Sequence, residues 1–327
     1  MNKLRIGLVG VGGMGGCHFD NYMDVDGAEL VAVCDVRKEV AEKKVGNRKI
    51  NIYTDLGKML KKEELDMVDI CTPSYMHMDM VIKLLKKGYH VLCEKPMTLN
   101  NGDCKKIIKT LKNTDKNFMV AHVVRFMAPY KYLKSVIDSN ELGSLIRLDM
   151  KRISSIPTWS WEDWMRKEKL SGGVVTDLSI HDLDFVQSIF GMPKKVQAVH
   201  YKMKNNNDCI VSNLIYDNLS VSCEGTWYNT DIPFQAKFLA VFQNGYVQFD
   251  NGKLVKNGKE ITLGSYKRDG EDIGINVGND NGYFNEIQYF IDCANEGRKP
   301  DFITPESSAK SVELADLIKK KAVVVNK

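Results

Sequence analysis

None of the eight cysteines, at positions 17, 34, 71, 93, 104, 209, 223 and 293, stands in C-x-x-C spacing with another. That argues against a zinc ribbon and against a dithiol redox motif. Cys34, Cys71 and Cys93 fall near the ends of apolar runs that read as buried strands, where a free thiol acts as a small hydrophobe. Such usage suits a reducing compartment, so a cytoplasmic protein is expected. No apolar run approaches the roughly 20 residues of a membrane-spanning helix. The first strand begins almost at Met1, so no signal segment is expected ahead of it. Basic blocks are also missing. The 46 basic and 42 acidic residues leave a net charge of +4, and the lysine runs are short: Lys61-Lys62, Lys86-Lys87 and Lys319-Lys320-Lys321. These read as wet helix faces or C-terminal turns, so neither nucleic acid nor a membrane is an expected partner. Internal repeats and low-complexity segments are absent.

What is present begins at once. Leu4 to Val9 is a short apolar run rich in branched residues, as in a strand buried on both faces. It leads into Gly10-Val11-Gly12-Gly13-Met14-Gly15, which fits G-x-G-x-x-G. A helix through Tyr22 and Met23 follows, then a second apolar strand from Glu29 to Cys34. Asp35 closes that strand, twenty residues beyond Gly15. Gly10 allows the tight turn, Gly12 lets the backbone approach a pyrophosphate, and Gly15 lets the helix lie close to the strand. The helix N-terminus offers unpaired N–H groups to phosphate. Asp35 can accept hydrogen bonds from ribose hydroxyls and would repel a 2′-phosphate, which favours NAD. Arg37 can neutralise such a phosphate, so NADP stays open.

A chain of 327 residues is more than one core usually serves, so two domains are expected. Strands at Ile50 to Tyr53, Met67 to Cys71, His90 to Cys93 and Phe118 to Ala121 alternate with helices, one of them capped by Asp55. This is the pattern of a doubly wound parallel sheet. Ligands bind such sheets at the carboxyl ends of the strands. Thr72-Pro73, Glu94-Lys95-Pro96 and His122 fall there. His77 starts a helix and either faces the cofactor region or serves in capping or packing.

The pattern changes near residue 124. After a helix over 128–139, Leu148 and Met150 alternate with Arg147, Asp149 and Lys151. Val221, Cys223, Gly225 and Trp227 alternate with Ser220, Ser222, Glu224 and Thr226. Residues 234–242 and 246–250 do the same. One wet and one covered face indicates an open antiparallel sheet, of about six strands, whose free face or edges suit subunit pairing. Thr304 as N-cap and Pro305 at N1 begin a closing helix to about Lys321. The expected fold is therefore α/β: a Rossmann domain over 1–123, then an α+β substrate-binding and oligomerisation domain over 124–327, built on an open, mainly antiparallel sheet.

Lys95 is held at a strand end by Pro96, which favours an extended conformation before it. Beside a cationic nicotinamide its amine can hydrogen-bond a substrate hydroxyl or move a proton. The stretch Ser171-Gly172-Gly173 opens a helix expected to run to Gly191. On it Asp177 and His181 are four apart and share a face. They fit a carboxylate orienting a basic imidazole, and equally a surface helix pair. A metal held by Asp177, His181 and Asp184 lacks a nearby cysteine or second histidine, so no metal is expected. Trp159, Trp161 and Trp164 suit the core or the wall of a sugar pocket. Arg125, His122 and Tyr283 are weaker candidates for the same cleft. The candidate cofactor-binding set is Gly10, Gly12, Gly13, Met14, Gly15, Asp35, Arg37, Thr72, Pro73, His77, Glu94, Lys95 and His122. The candidate substrate-binding set is Lys95, Arg125, Trp161, Asp177 and His181, with Lys95, Asp177 and His181 catalytic.

Gly10-x-Gly12-x-x-Gly15, Thr72-Pro73-x-x-x-His77, Glu94-Lys95-Pro96 and Gly172-Gly173-x-x-x-Asp177-x-x-x-His181 together resemble the Gfo/Idh/MocA family of NAD(P)-dependent oxidoreductases. The resemblance covers most of the chain. It implies a Rossmann domain followed by an α/β domain with a large open sheet, and it matches Lys95, Asp177 and His181 to the family's catalytic positions. It implies hydride exchange between NAD(H) and a hydroxyl or carbonyl of a small carbohydrate-like molecule, a sugar or cyclitol. It further implies a homodimer or homotetramer joined through the C-terminal sheet. Two alternatives come with the family: a nucleotide-dependent regulatory or binding protein without turnover, and a glycosidase that uses NAD transiently. The presence of all three catalytic matches argues against the first.

Overall fold

A computed structural model describes residues 3–203, 207–250, 252–263 and 281–326. Contacts within the chain divide it into two units, Met1–His122 with Tyr283–Ala309, and Val123–Gly282 with Lys310–Lys327. No helix among the described residues is long and apolar enough to cross a membrane.

The first unit alternates strand and helix. Its elements are β1 (Leu4–Val9), α1 (Gly13–Tyr22), β2 (Ala28–Cys34), α2 (Lys38–Val45), β3 (Asn51–Tyr53) and α3 (Leu56–Lys62), then β4 (Met67–Ile70), α4 (His77–Lys86), β5 (His90–Glu94), α5 (Asn101–Leu111) and β6 (Phe118–Ala121). The six strands pair in the order β3-β2-β1-β4-β5-β6, all parallel. Ile6, Leu8, Val33, Val68 and Leu92 are wholly enclosed. Each such side chain contributes about 1.5–3 kcal/mol of burial. Strand order reverses between β1 and β4, so the turn after Val9 and the loop after Ile70 border the crevice where such sheets take ligands. Asp55 caps α3 by accepting the Lys58 N–H at 2.7 Å.

The second unit opens with α6 (Ala128–Ser139) and β7 (Leu145–Ser155), then α7 (Glu168–Ser171), α8 (Gly173–Asp177) and α9 (Ile180–Phe190). Strands β8 (Lys195–Lys202), β9 (Asp208–Ile215), β10 (Ser220–Tyr228), β11 (Gln235–Phe242), β12 (Gly245–Asp250), β13 (Lys253–Lys256) and β14 (Lys259–Ile261) follow. Helix α10 (Gly282–Asn295), which belongs to the first unit from Tyr283 on, helix α11 (Pro305–Lys321), divided between the units after Ala309, and strand β15 (Ala322–Asn326) of the second unit complete the chain. Thr304 Oγ1 accepts the Ser307 N–H at the start of α11.

Among the described residues the sheet of this unit has nine strands, ordered β14-β13-β12-β11-β7-β10-β9-β8-β15, where about six were expected. The excess lies in short strands and in β15, whose Val323 and Val324 are 65% and 50% exposed. A strand without a buried face shows no alternation to read. Pairing is antiparallel except for β7 with β10 and β8 with β15. On the covered face Tyr130 lies edge-on to Phe185 and Phe238, with ring centroids 5.1 and 5.4 Å apart. On the other face Lys151 pairs with Glu224 at 2.8 Å.

The helix expected from the double glycine to Gly191 is two helices. It breaks at Leu178 and Ser179, both of whose N–H groups reach the Val174 carbonyl. The break sits against β10: a Cβ on Gly225 would lie 1.9 Å from the Ser179 hydroxyl. Only glycine lets turn and strand approach so closely.

Candidate active site

In the first unit, β1 ends in a turn that requires glycine. Gly10 has φ +84°, and a Cβ there would meet the Cys71 carbonyl at 2.6 Å. A Cβ on Gly15 would lie 1.8 Å from the Gly10 carbonyl oxygen, so α1 packs directly on the turn. Gly12 precedes α1, and Gly13 and Met14 form its first turn. A Cβ on Gly12 would meet only an Arg37 nitrogen, at 3.4 Å. The helix therefore presents first-turn N–H groups behind an unobstructed glycine, which fits a dinucleotide pyrophosphate.

Asp35 follows β2 and faces this turn. Its Oδ2 accepts the Val11 N–H at 2.9 Å, and its Oδ1 accepts the Arg37 backbone N–H at 2.9 Å and the Nε–H at 3.2 Å. The acid is buried while the Arg37 side chain stays partly exposed. Charge of both signs thus stands where a ribose or its phosphate would be read.

The loops after β4 and β5 are tied together by His77 at the start of α4. Its Nδ1 lies 2.8 Å from the Pro96 carbonyl and its Nε2 2.9 Å from the Thr72 carbonyl. The ring is enclosed, and burial pushes its pKa down. Pro73 precedes the short 3₁₀ turn Ser74–Met76 that leads into α4. Lys95 follows β5, half-buried, with its backbone N–H donating to Glu94 Oε2 at 2.9 Å and a cis peptide bond to Pro96. His122 follows β6 and is buried.

In the second unit, Gly172 and Gly173 have φ of +81° and +69°. A Cβ on Gly172 would strike Thr176 at 2.5 Å. Asp177 ends α8 and His181 lies in the first turn of α9, with the break between them. They are 5% and 8% exposed, which overturns the reading of a surface helix pair. Two buried ion pairs pin α9. Asp182 takes Arg152 NH2 at 2.7 Å, and Asp184 takes Arg125 Nε and NH2, each at 2.7 Å. Arg152 also donates to the Tyr130 hydroxyl at 3.1 Å, and Ser311 donates to Asp184 at 2.8 Å. Arg125 thus commits its planar fork to a carboxylate inside the unit. The amino end of α8 is held as well, where Asp208 accepts the Val174 N–H and pairs with His200.

The tryptophans are not core. Trp159 is 63% exposed, and no residue of the 3₁₀ stretch Trp161–Arg166, which holds Trp161 and Trp164, is buried. The core tryptophan is Trp227 of β10.

Sequence reasoning missed His18, Tyr22 and Asp69, which are buried behind Glu94. In the first unit His18 Nδ1 lies 2.7 Å from Asp69 Oδ2, Tyr22 donates to the same oxygen at 2.8 Å, and His18 Nε2 lies 3.2 Å from Glu94 Oε1. In the second, Arg152 with Asp182 was missed. A usable signal existed for each: Asp69 sits inside the apolar run Met67–Ile70, and Arg152 occupies an inward position of an alternating strand.

Comparison with known proteins finds two family matches. Residues 4–122 match an oxidoreductase family's NAD-binding Rossmann fold, and residues 134–277 match the C-terminal alpha/beta domain of the same family. Among curated proteins, a myo-inositol 2-dehydrogenase of Thermotoga maritima is 31% identical over 193 residues, 58% of this chain and 55% of that protein. A 2,7-anhydro-N-acetylneuraminate hydratase of Mediterraneibacter gnavus is 31% identical over 202 residues, 60% of this chain and 52% of that protein. The chain thus spans about half the length of the curated relatives it matches. Among solved structures, a myo-inositol 2-dehydrogenase from Lactobacillus plantarum superposes with TM-score 0.81 at 21% identity, covering 98% of this chain and 97% of that one, and shares the fold.

Proposed function

The chain belongs to the Gfo/Idh/MocA oxidoreductase family, and from that premise we propose that it is a dehydrogenase moving a hydride between NAD(H) and a ring hydroxyl or carbonyl of a sugar or cyclitol. The observation that carries this is the setting of Lys95. It stands half-buried at a strand's carboxyl end on the NAD-binding sheet, with its backbone N–H fixed by Glu94. The inositol dehydrogenase relative supports the substrate class.

Oxidising an alcohol removes a hydride from carbon and a proton from oxygen. NAD, when bound, accepts the hydride. His181 takes the hydroxyl proton, and Asp177 orients its ring and stabilises the imidazolium. Lys95 donates a hydrogen bond to the reacting oxygen and holds the substrate. Trp161 supplies an aromatic face for the ring. Gly10, Gly12, Gly13, Met14 and Gly15 would cradle the pyrophosphate, and Asp35 would select the unphosphorylated ribose, with Arg37 leaving NADP as a weaker cofactor. Thr72, Pro73, Glu94 and His122 would stand on the nicotinamide side. His77 acts by fixing the loops at Thr72 and Pro96, and Arg125 by pinning α9 through Asp184. The protein works in the cytoplasm as a homodimer or homotetramer joined through the nine-stranded sheet. The exposed Ile146 and Leu239 on that sheet support this.

A thermal-shift screen tests the assignment. Bound ligand raises stability by mass action, so NAD should raise the melting temperature more than NADP, and one or more cyclitols or sugars should raise it further. Turnover of that ligand with appearance of reduced nicotinamide is the expected result. A second reading is favoured by the hydratase relative: conversion of substrate with no net change in NADH. Product formation without nicotinamide reduction would select it.

A further inference from the structure

His18 and Asp69 join Glu94 in a buried chain of charge in the first unit, and the proposed chemistry gives no part to either of the first two. His18 of α1 and Asp69 of β4 are wholly enclosed, and Glu94 at the end of β5 nearly so. Nδ1 of His18 is hydrogen-bonded to Asp69 Oδ2 at 2.7 Å. Nε2 stands 3.2 Å from Glu94 Oε1, an ion-pair contact rather than an aligned hydrogen bond. A lone pair facing a carboxylate at either nitrogen would be repelled, so both nitrogens carry protons. The other oxygen of Glu94 accepts the Lys95 backbone N–H.

Neighbouring groups leave the charge there. Burial pushes the Cys17 thiol up to about 11, and it raises Cys71, Tyr22 and Tyr283 as well. Glu286 of α10 finds no hydrogen-bond partner for either oxygen among the described residues, and burial pushes its pKa well up, so it is neutral. For His18, burial opposes the charge, but the Asp69 carboxylate hydrogen-bonded at Nδ1 favours it, and the pKa is raised. For Glu94, burial is likewise outweighed, by His18, and the carboxyl lies below its usual range. A metal ion does not fit between His18, Asp69 and Cys71. Zinc bound at about 2 Å to each ligand would hold them roughly 3.3 Å apart, whereas His18 and Asp69 touch at 2.7 Å.

We propose that His18, with a proton on each ring nitrogen, is a positioning residue for Lys95: braced on Asp69, it holds the Glu94 carboxylate in the orientation that accepts the Lys95 N–H and so fixes the backbone from which the amine projects. The functional meaning rests on the assignment of Lys95 to catalysis. The physical device does not, and its test needs no substrate.

Protein labelled at histidine and lysine with nitrogen isotope is read by NMR. His18 should show the ring shifts of an imidazolium at neutral pH. In His18→Gln the Lys95 amide should exchange with solvent about tenfold faster, the effect of weakening one charge-assisted hydrogen bond, while the amide of Lys112, at the end of α5, keeps its rate. Glu94→Gln should do the same, and the double variant should exchange no faster than either single one. A neutral His18 ring, or an unchanged Lys95 amide in folded His18→Gln, overturns the proposal, as do effects that multiply in the double variant. If His18→Gln does not fold, Glu94→Gln and the ring signal carry the test. Absence of turnover with intact Lys95 exchange behaviour would count against the dehydrogenase assignment and leave the device in place.

Discussion

The two units fix the side chains proposed for binding and catalysis in different ways. In the first, Lys95, Thr72 and Asp35 stand just beyond strand ends of a parallel sheet, and backbone geometry does most of the positioning. Tight glycine turns, His77 between two carbonyls and Glu94 on a backbone N–H complete it. In the second, Asp177 and His181 flank a break between two helices, and buried side-chain ion pairs hold the helix that carries His181. Strand ends are fixed by the sheet, whereas a helix end needs anchors of its own. Substitutions at the strand ends of the first unit should therefore cost less than loss of an anchor of α9 in the second.

Removing the groups proposed to be catalytic gives the largest expected effect. Lys95→Ala and His181→Ala should each lower turnover by about 10²–10⁴, the range for a lost proton-transfer group, with NAD binding retained. Steady-state kinetics checks this. Breaking an anchor comes next. Arg152→Met leaves Asp182 buried without its cation, and destabilisation of about 3–5 kcal/mol is expected by chemical denaturation. Arg152→Met with Asp182→Leu should recover much of that loss, since no lone charge remains. A loss in Arg152→Met no larger than a surface substitution would erase the contrast between the units.

The pH dependence sharpens the first half of the comparison. His18 has a folded pKa raised above 6.5, so its contribution is complete below 6.5 and is lost as pH rises through the folded value. Glu94 has a folded pKa lowered below 4.5, so its contribution is complete above 4.5 and is lost as pH falls through the folded value. Stability from this cluster should therefore peak between 4.5 and 6.5 and decline on both sides. Denaturation midpoints across pH would show it, and His18→Gln should flatten the alkaline side. The smallest effect is local: Asp55→Ala removes the cap of α3 and should cost about 1 kcal/mol, with no change in turnover.

Much of the first unit was legible in the sequence because backbone demands leave marks on single residues. Gly10 and Gly15 stand where no Cβ fits, Asp55 stands at a helix start, and Lys95 stands between a strand and a proline. Asp69 and Arg152 each left a local mark, but the pairs they form did not, because these join distant positions: His18 and Asp69 are 51 residues apart, Arg152 and Asp182 are 30 apart. No local period encodes such a pair. The helix break at Ser179 depends on Gly225 in another strand, so the spacing of Asp177 and His181 suggested one helix where two exist. Strand β15 escaped because its valines face outward, and the choice between core and pocket wall for Trp159, Trp161 and Trp164 stayed open because composition does not say which aromatic the core takes.

Transfer of deuterium from ring-deuterated myo-inositol, or from whichever cyclitol or sugar stabilises the protein most, to NAD is the most direct test of the chemistry proposed for Lys95, Asp177 and His181. The account predicts mass gain in the reduced dinucleotide with the intact protein and its near loss in Lys95→Ala. Failure of any ligand that stabilises the protein to transfer its label, or transfer undiminished in Lys95→Ala, would contradict it.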